Sequence, residues 1–224
     1  MCKGEPQAGV SSTFASEDAM DPVSIIALTM GIAWASGINL YAAVLMLGVM
    51  GATDTIALPP DLQLLASPIV ILAAALMYLV EFFADKVPGV DSGWDAIHTF
   101  IRIPAGAVLA AGAVGDVDPA LAFAAALIGG TLAAGSHVTK ASTRLAINAS
   151  PEPFSNWTAS IAEDVLVIAG LWTALHYPLV FLALLAVFIG LVVWLLPKLI
   201  RFVYRLFQRV AAWLRRDAPG AAGV

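Results

Sequence analysis

The stretch "LVFLALLAVFIGLVVWLLPKLIRFVYRLFQR" (179–209) opens with eighteen residues that carry no charge and no side-chain amide, reaches a proline, and then places four cations in twelve residues. A helix needs about 20 apolar residues to cross the ~30 Å hydrocarbon core of a bilayer. A transmembrane strand needs alternation of apolar and polar positions instead, and this run has none. Working outward, the same texture recurs. Of 224 residues 60% are hydrophobic and 12% charged, against about 25% charged in soluble domains, and the mean hydropathy is +0.89. The expected fold class is therefore all-α: a polytopic transmembrane helix bundle of about six spans.

The spans are read as Val23 to Met50, Pro68 to Ala84, about Trp94 to Val114, Ala120 to Ile147, Trp157 to Leu175 and Leu179 to Leu196. Helix-breaking stretches separate them: "ALPPD" (57–61), "KVPGVDSG" (86–93), "GDVDP" (115–119), "NASPEP" (148–153) and "HYP" (176–178). Positive charge collects on the cytoplasmic side of a membrane protein. Lys198, Arg201, Arg205, Arg209, Arg215 and Arg216 follow the sixth span, and Lys86, Arg102, Lys140 and Arg144 lie toward the same side. The intervening loops on the other side, 51–67, 115–119 and 176–178, contain no Lys or Arg. Both termini are expected in the cytoplasm of a bacterium, with the protein in its inner membrane. Residues 198–217 read as a basic amphipathic helix lying on anionic lipid. Residues 1–20 and 218–224 read as tails, leaving 21–197 as the transmembrane domain.

A duplication is also suggested. "PGVDSGWDA" (88–96) and "PEPFSNWTA" (151–159) share Pro, Ser, Trp and Ala at an offset of 63. Spans two–three and four–five would then be two copies of one helical hairpin, as in parallel-repeat transporters.

The chemistry lies in the charges within the spans. His137, Lys140, Arg144 and Asn148 step by three, four and four, so they share one helical face. Asp95, His98 and Arg102 do the same in span three, and Glu81 and Asp85 in span two. Span five brings Ser160, Glu163 and Asp164. At 1.5 Å per residue, Glu163 lies about 9 Å beyond Trp157 and Arg102 about 12 Å beyond Trp94. Charges that deep cost several kcal/mol each if they face lipid. The expectation is one polar groove, open to the cytoplasm and enclosed by spans two to five, with Glu163 and Asp164 offsetting the cations of spans three and four. "ASGINLY" (35–41) interrupts span one near its centre. It predicts a kink or break there, with Asn39 either closing the groove or bonding a neighbouring helix. His98 and His137 are candidate proton relays. The candidate ligand-binding set is thus Asn39, Glu81, Asp95, His98, Arg102, His137, Lys140, Arg144, Glu163 and Asp164.

Several classes are not expected. The chain has one cysteine, Cys2, so no disulfide framework or cysteine metal site. No phosphate loop, zinc-protease helix or nucleophile elbow is present. No cofactor, resident metal, catalytic residue or nucleic-acid partner is assigned. Oxygen ligands from Glu81, Asp85, Asp91 and Asp95 would suit a hard cation, but Lys86 and Arg102 beside them argue against a dedicated cage. Rows of small residues, such as Ala126, Gly130 and Ala134, allow close helix contact within one chain or in a homo-oligomer.

"SGINLYAAVLMLG" (36–48), "EFFADKVPGVDSGWDAIHTFIRIPAGA" (81–107) and "GSHVTKASTRLAINASPEPFSNWTASIAED" (135–164) together resemble an uncharacterised bacterial family of multi-span membrane proteins, domain of unknown function 4126. The resemblance covers about residues 24–200. It implies the multi-span class and brings no activity with it. The leading functional expectation is a small transporter or channel whose charged groove takes an ion or a small anionic solute. The alternative is a membrane scaffold or accessory protein whose charges are a structural ion-pair network. An enzyme using an Asp95–His98 pair on lipid-linked substrates ranks behind both. A water-accessible cavity touching Lys140 and Glu163 would favour transport. A direct, sealed pair would favour the scaffold.

Overall fold

The computed structural model describes residues 21–87, 89–115, 117–148 and 153–216. The expected tails at 1–20 and 218–224 and the tip 149–152 lie outside them. Among the described residues all regular structure is helical: α1 (Pro22–Ala52), a 3-10 turn (Pro60–Ala66), α2 (Pro68–Ala84), α3 (Val90–Ala113), α4 (Pro119–Asn148), α5 (Pro153–His176) and α6 (Pro178–Arg216). Five of these helices are long and apolar enough to cross a membrane. The 3-10 turn and α2, bent by 66° between them, make a sixth candidate span. The chain is a multi-pass integral membrane protein.

Proline writes many of the helix starts. Pro22, Pro68, Pro119, Pro153 and Pro178 each open a helix, where the missing N–H has no partner to lose and φ is already set. Asp21 caps α1 by accepting from the amides of Val23 (2.9 Å) and Ser24 (3.2 Å). Ser67 caps α2 through the amide of Val70 at 3.4 Å. Gly89, at φ +86°, supplies the left-handed residue that turns α2 into α3.

α1 is the axis of the bundle. It packs against every other helix, and 72% of its most apolar window is buried, whereas the membrane-crossing part of α6 is only 11% buried. The tightest pairing is the α3–α4 hairpin. It approaches α1 closely because the contact positions are small. A Cβ on Gly37 would collide with Ser136 and the Ala133 carbonyl, and one on Gly129 with Ala110. The fully buried row of α4 is Ala125, Gly129 and Ala133, one residue earlier than the row expected from the sequence. Ala126, Gly130 and Ala134 lie half-buried beside it. The row Ala125, Gly129 and Ala133 is therefore used in contacts within the chain.

α6 runs 39 residues, through Pro197, as one helix. At 1.5 Å per residue that is about 58 Å, longer than the ~30 Å hydrocarbon core. Its second half carries Lys198, Arg201, Arg205 and Arg209.

Candidate functional site

The site begins at a break in α1. Asn39 has φ −144° and ψ 95°, so the helix stops at Ile38 and restarts at Leu40. A break frees backbone groups that need partners inside a membrane. The Asn39 Oδ1 accepts from the amide of Ala42 at 2.9 Å, capping the second half. The Ile38 carbonyl accepts from the Lys140 ammonium at 3.1 Å. A cation is what a helix C-terminal carbonyl favours. The interruption predicted at 35–41 is thus a true discontinuity.

Around it the expected charges converge. Arg102 of α3 donates to Glu81 of α2 at 2.5 Å and to Asp95 at 3.0 Å. Lys140 donates to Asp85 at 3.0 Å and to Glu81 at 3.2 Å. Together with the Ile38 carbonyl, these use all three ammonium protons. Glu163 stands 3.4 Å from the same nitrogen, and Asp95 stands 3.8 Å away. Arg144 forks onto Glu163 at 3.1 and 2.7 Å. It also reaches the carbonyls of Asp85 and Asn156, both at 3.1 Å, and the Asp85 carboxylate at 3.4 Å. Four helices, α2 to α5, are joined by these ion pairs and α1 through the Ile38 carbonyl, and Glu81, Asp95, Arg102, Lys140 and Arg144 are all buried.

Lys140 and Arg144 have every donor placed, Arg102 keeps one buried free N–H at Nε, and three of the acids keep a free oxygen. Glu81 Oε2, Asp85 Oδ1 and Asp95 Oδ2 are buried without a hydrogen-bond partner. Each of these carboxylates is held by one oxygen only. Four acids, Glu81, Asp85, Asp95 and Glu163, face three cations in this network.

The two histidines are held by different partners. Thr99 gives its hydroxyl proton to the Asp95 carbonyl at 3.0 Å, so its oxygen accepts from His137 Nε2 at 2.8 Å. His137 Nδ1 then accepts from Arg102 at 3.3 Å. His98 donates from Nδ1 to the Trp94 carbonyl at 2.9 Å, stacks on the Trp94 ring, and shares a hydrogen bond between Nε2 and the Tyr41 hydroxyl at 3.0 Å. Tautomers here follow from partner chemistry. His98 therefore stands apart from the charge network, and no hydrogen bond joins it to Asp95.

Glu163 and Asp164 do not play the same part, which corrects the expectation that both offset the cations. Successive helical residues point about 100° apart, at 3.6 per turn. Glu163 faces α4. Asp164 faces the break in α1, where Asn39 Nδ2 donates to it at 2.9 Å. Tyr78 of α2 turns its phenol toward the same carboxylate.

Below the network the two inter-helix tips lock together. Asn148 donates to both oxygens of Asp91 at 2.8 Å and to Ser92 at 3.0 Å, and it accepts from Asn156 at 2.7 Å. Asp91 is thereby occupied, together with the amides of Gly89 and Ser92. Among the described residues no three His, Cys, Asp or Glu side chains converge to hold a metal.

Sequence reasoning put Asp85 on the span-two stripe but not in the candidate set, and it gave no role to Tyr78, Tyr41, Thr99 or Asn156. Tyr78, Glu81 and Asp85 step by three and four, so extending the stripe one turn would have found Tyr78 and promoted Asp85. The Ile38 carbonyl has no sequence signal, since every residue carries one.

Residues 26–198 match the family model described as "Domain of unknown function (DUF4126)". The chain belongs to this family. The match spans the broken α1, the whole charge network and the membrane-crossing part of α6, so the site lies within what defines DUF4126. The family's description names no activity. No curated protein and no solved structure matches the chain.

Proposed function

We propose that the protein is a small carrier or channel of the bacterial inner membrane, with both termini in the cytoplasm, and that its charge network handles a proton or a small cation. The observation that carries this reading is the set of half-coordinated buried carboxylates at Glu81, Asp85 and Asp95. Buried charge without full pairing is costly and is retained for function by default. Every basic group of the network already holds at least two acids. One buried donor, Arg102 Nε, is left over against three carboxylate oxygens, and that balance favours a cationic cargo. A discontinuous central helix that lends a carbonyl to the site supports the same reading, since broken helices build ion sites in transporters. The basic half of α6 then rests on anionic lipid.

One observation favours the scaffold alternative. Lys140 and Glu163 are directly paired at 3.4 Å, with side chains 2% and 14% exposed. Among the described residues, apolar crevices along the helix seams, such as those lined by Met30 and Phe188, by Tyr78 and Trp172, and by Trp34 and Phe181, do not touch either residue. In the carrier reading this is a closed conformation. The deciding experiment reconstitutes the purified protein into liposomes holding a pH- or cation-sensitive dye and imposes proton, sodium and potassium gradients in turn. Flux several-fold above empty liposomes for one of them, lost in Glu163→Gln with the fold intact, supports the carrier. No flux under any gradient leaves the structural network as the better account.

A further inference from the structure

We propose that Asp164 is the proton-accepting group of this protein, and that the break in α1 reads its protonation through Asn39. This deepens the carrier reading and rests on it for its use in transport.

Among the described residues, the buried acids divide by partner. Glu81, Asp85, Asp95 and Glu163 each have a Lys or Arg nitrogen within 4.0 Å. Asp91 has no cation, but three amide donors hold it at the start of α3, where the helix dipole also stabilises an anion. Asp164 has neither. It is 8% exposed, and no Lys or Arg nitrogen lies within 4.0 Å of it. It sits eleven residues into α5, about 16 Å along the helix, which is near the middle of a ~30 Å core. A carboxylate buried there with no cation in contact is the one for which taking a proton costs least and gains most.

The surroundings of Asp164 are polar but only weakly charged. Asn39 comes from α1, Tyr78 and the end-of-helix pair Asp85 and Lys86 from α2, Lys140 from α4, and its neighbour Glu163 from α5. Lys86 lies near enough to attract Asp164 but donates to the Phe82 carbonyl and to the hydroxyl of Ser160, one turn before Asp164 on α5. Lys140 has its three protons placed elsewhere. The firm partner is the Asn39 amide, whose other end caps the second half of α1. A proton added at Asp164 turns an anionic acceptor into a neutral acid and weakens the bond from Asn39 Nδ2, because charge-assisted hydrogen bonds are roughly twice as strong as neutral ones. The same side chain then holds the Ala42 amide less firmly. One proton thereby changes the stiffness of the joint between the two halves of the central helix.

The test has two arms on the full chain in lipid. In the first, infrared spectra are taken across a pH series with and without carbon-13-labelled aspartate. A protonated-carboxyl band that titrates and moves with the aspartate label is expected. It should vanish in Asp164→Asn, persist in Asp61→Asn, and titrate at a shifted midpoint in Tyr78→Phe. Should Asp164→Asn fail to fold, the label and Tyr78→Phe still decide. A band insensitive to the label, or unmoved by Tyr78→Phe, overturns the assignment. In the second arm, spin labels at Ile26→Cys and Val49→Cys, in a Cys2→Ser background, report the distance across the break. Acidification should change that distance, and Asp164→Asn should hold the acid value at every pH. A distance independent of pH overturns the coupling to α1. If both arms succeed while liposomes show no flux, the proton site stands and the carrier reading fails.

Discussion

Replacing Arg144 by Leu removes five hydrogen bonds at once, the full donor capacity of a guanidinium. Two carbonyls, at Asp85 and Asn156, lose a donor, and Glu163 keeps only Lys140 at 3.4 Å. Breaking one side of a buried pair costs about 3–5 kcal/mol. Glu163 is 14% exposed, so water recovers part of that, and about 3 kcal/mol is expected. For a chain of this size 1 kcal/mol moves Tm by about 2–4 °C, which makes the shift on the order of 10 °C. Arg144→Lys keeps the charge but not the fork, and should cost roughly half as much. The double variant Arg144→Leu with Glu163→Leu removes both charges and should be less damaging than the sum of the singles by about 2 kcal/mol. Thermal unfolding of the wild type, both Arg144 variants, Glu163→Leu and the double variant in bicelles measures this. Additive single effects, or an Arg144→Leu protein that melts with the wild type, would refute the argument that Arg144 clamps α2, α4 and α5 together.

Asn39→Ala should cost about 3 kcal/mol, from a lost cap of about 1 kcal/mol and a lost buried bond to a carboxylate, read by the same melting assay. Asn39→Asp puts two carboxylates in contact, so its deficit should be larger at alkaline than at acid pH, and a pH-independent deficit would contradict the Asn39–Asp164 contact. Gly37→Ala forces a methyl into Ser136 and the Ala133 backbone, and overpacking of this kind costs about 1–3 kcal/mol; melting with no loss would show that α1 and α4 are not this close. At the start of α1 the Ser24 hydroxyl, followed by the Ser24 amide, holds the Asp21 carboxyl below its usual range. The stabilisation this gives is present above the ordinary carboxyl range and is lost as pH falls through the lowered value. Amide exchange at Val23 and Ser24 should quicken in that window beyond its intrinsic pH trend, and Asp21→Asn should remove the effect.

Much of the site could be read before any coordinates, because helical period is local information. The stripes His137–Lys140–Arg144–Asn148, Asp95–His98–Arg102 and Glu81–Asp85 needed only the step of three and four. The argument that they meet needed only the cost of charge in hydrocarbon. Phase is harder. The small-residue row of α4 lies at Ala125, Gly129 and Ala133 rather than one residue later, and one residue is about 100° of rotation. Composition along a helix that is small and apolar on several sides does not settle that angle. Only contact with α1 and α3 does.

The adjacent acids on α5 show where sequence reasoning reached its limit. Counting charges treats Glu163 and Asp164 as a pair of counterions, because both stand opposite Lys140 and Arg144 in number. Rotation by one residue separates them. Glu163 falls on the face toward α4 and takes the guanidinium fork, while Asp164 falls toward α1 and takes an amide. Which acid faces the cations depends on where α1 lies relative to α5, and that depends on the break at Asn39. Had α1 been continuous, Ile38 would have no free carbonyl for Lys140 and Asn39 no reason to turn toward α5. The irregular backbone at one residue thus decides which of two neighbouring carboxylates is neutralised by charge and which is left for a proton. Restoring helix at position 39 should therefore disturb Asp164 more than Glu163, although Glu163 makes the shorter and more numerous contacts.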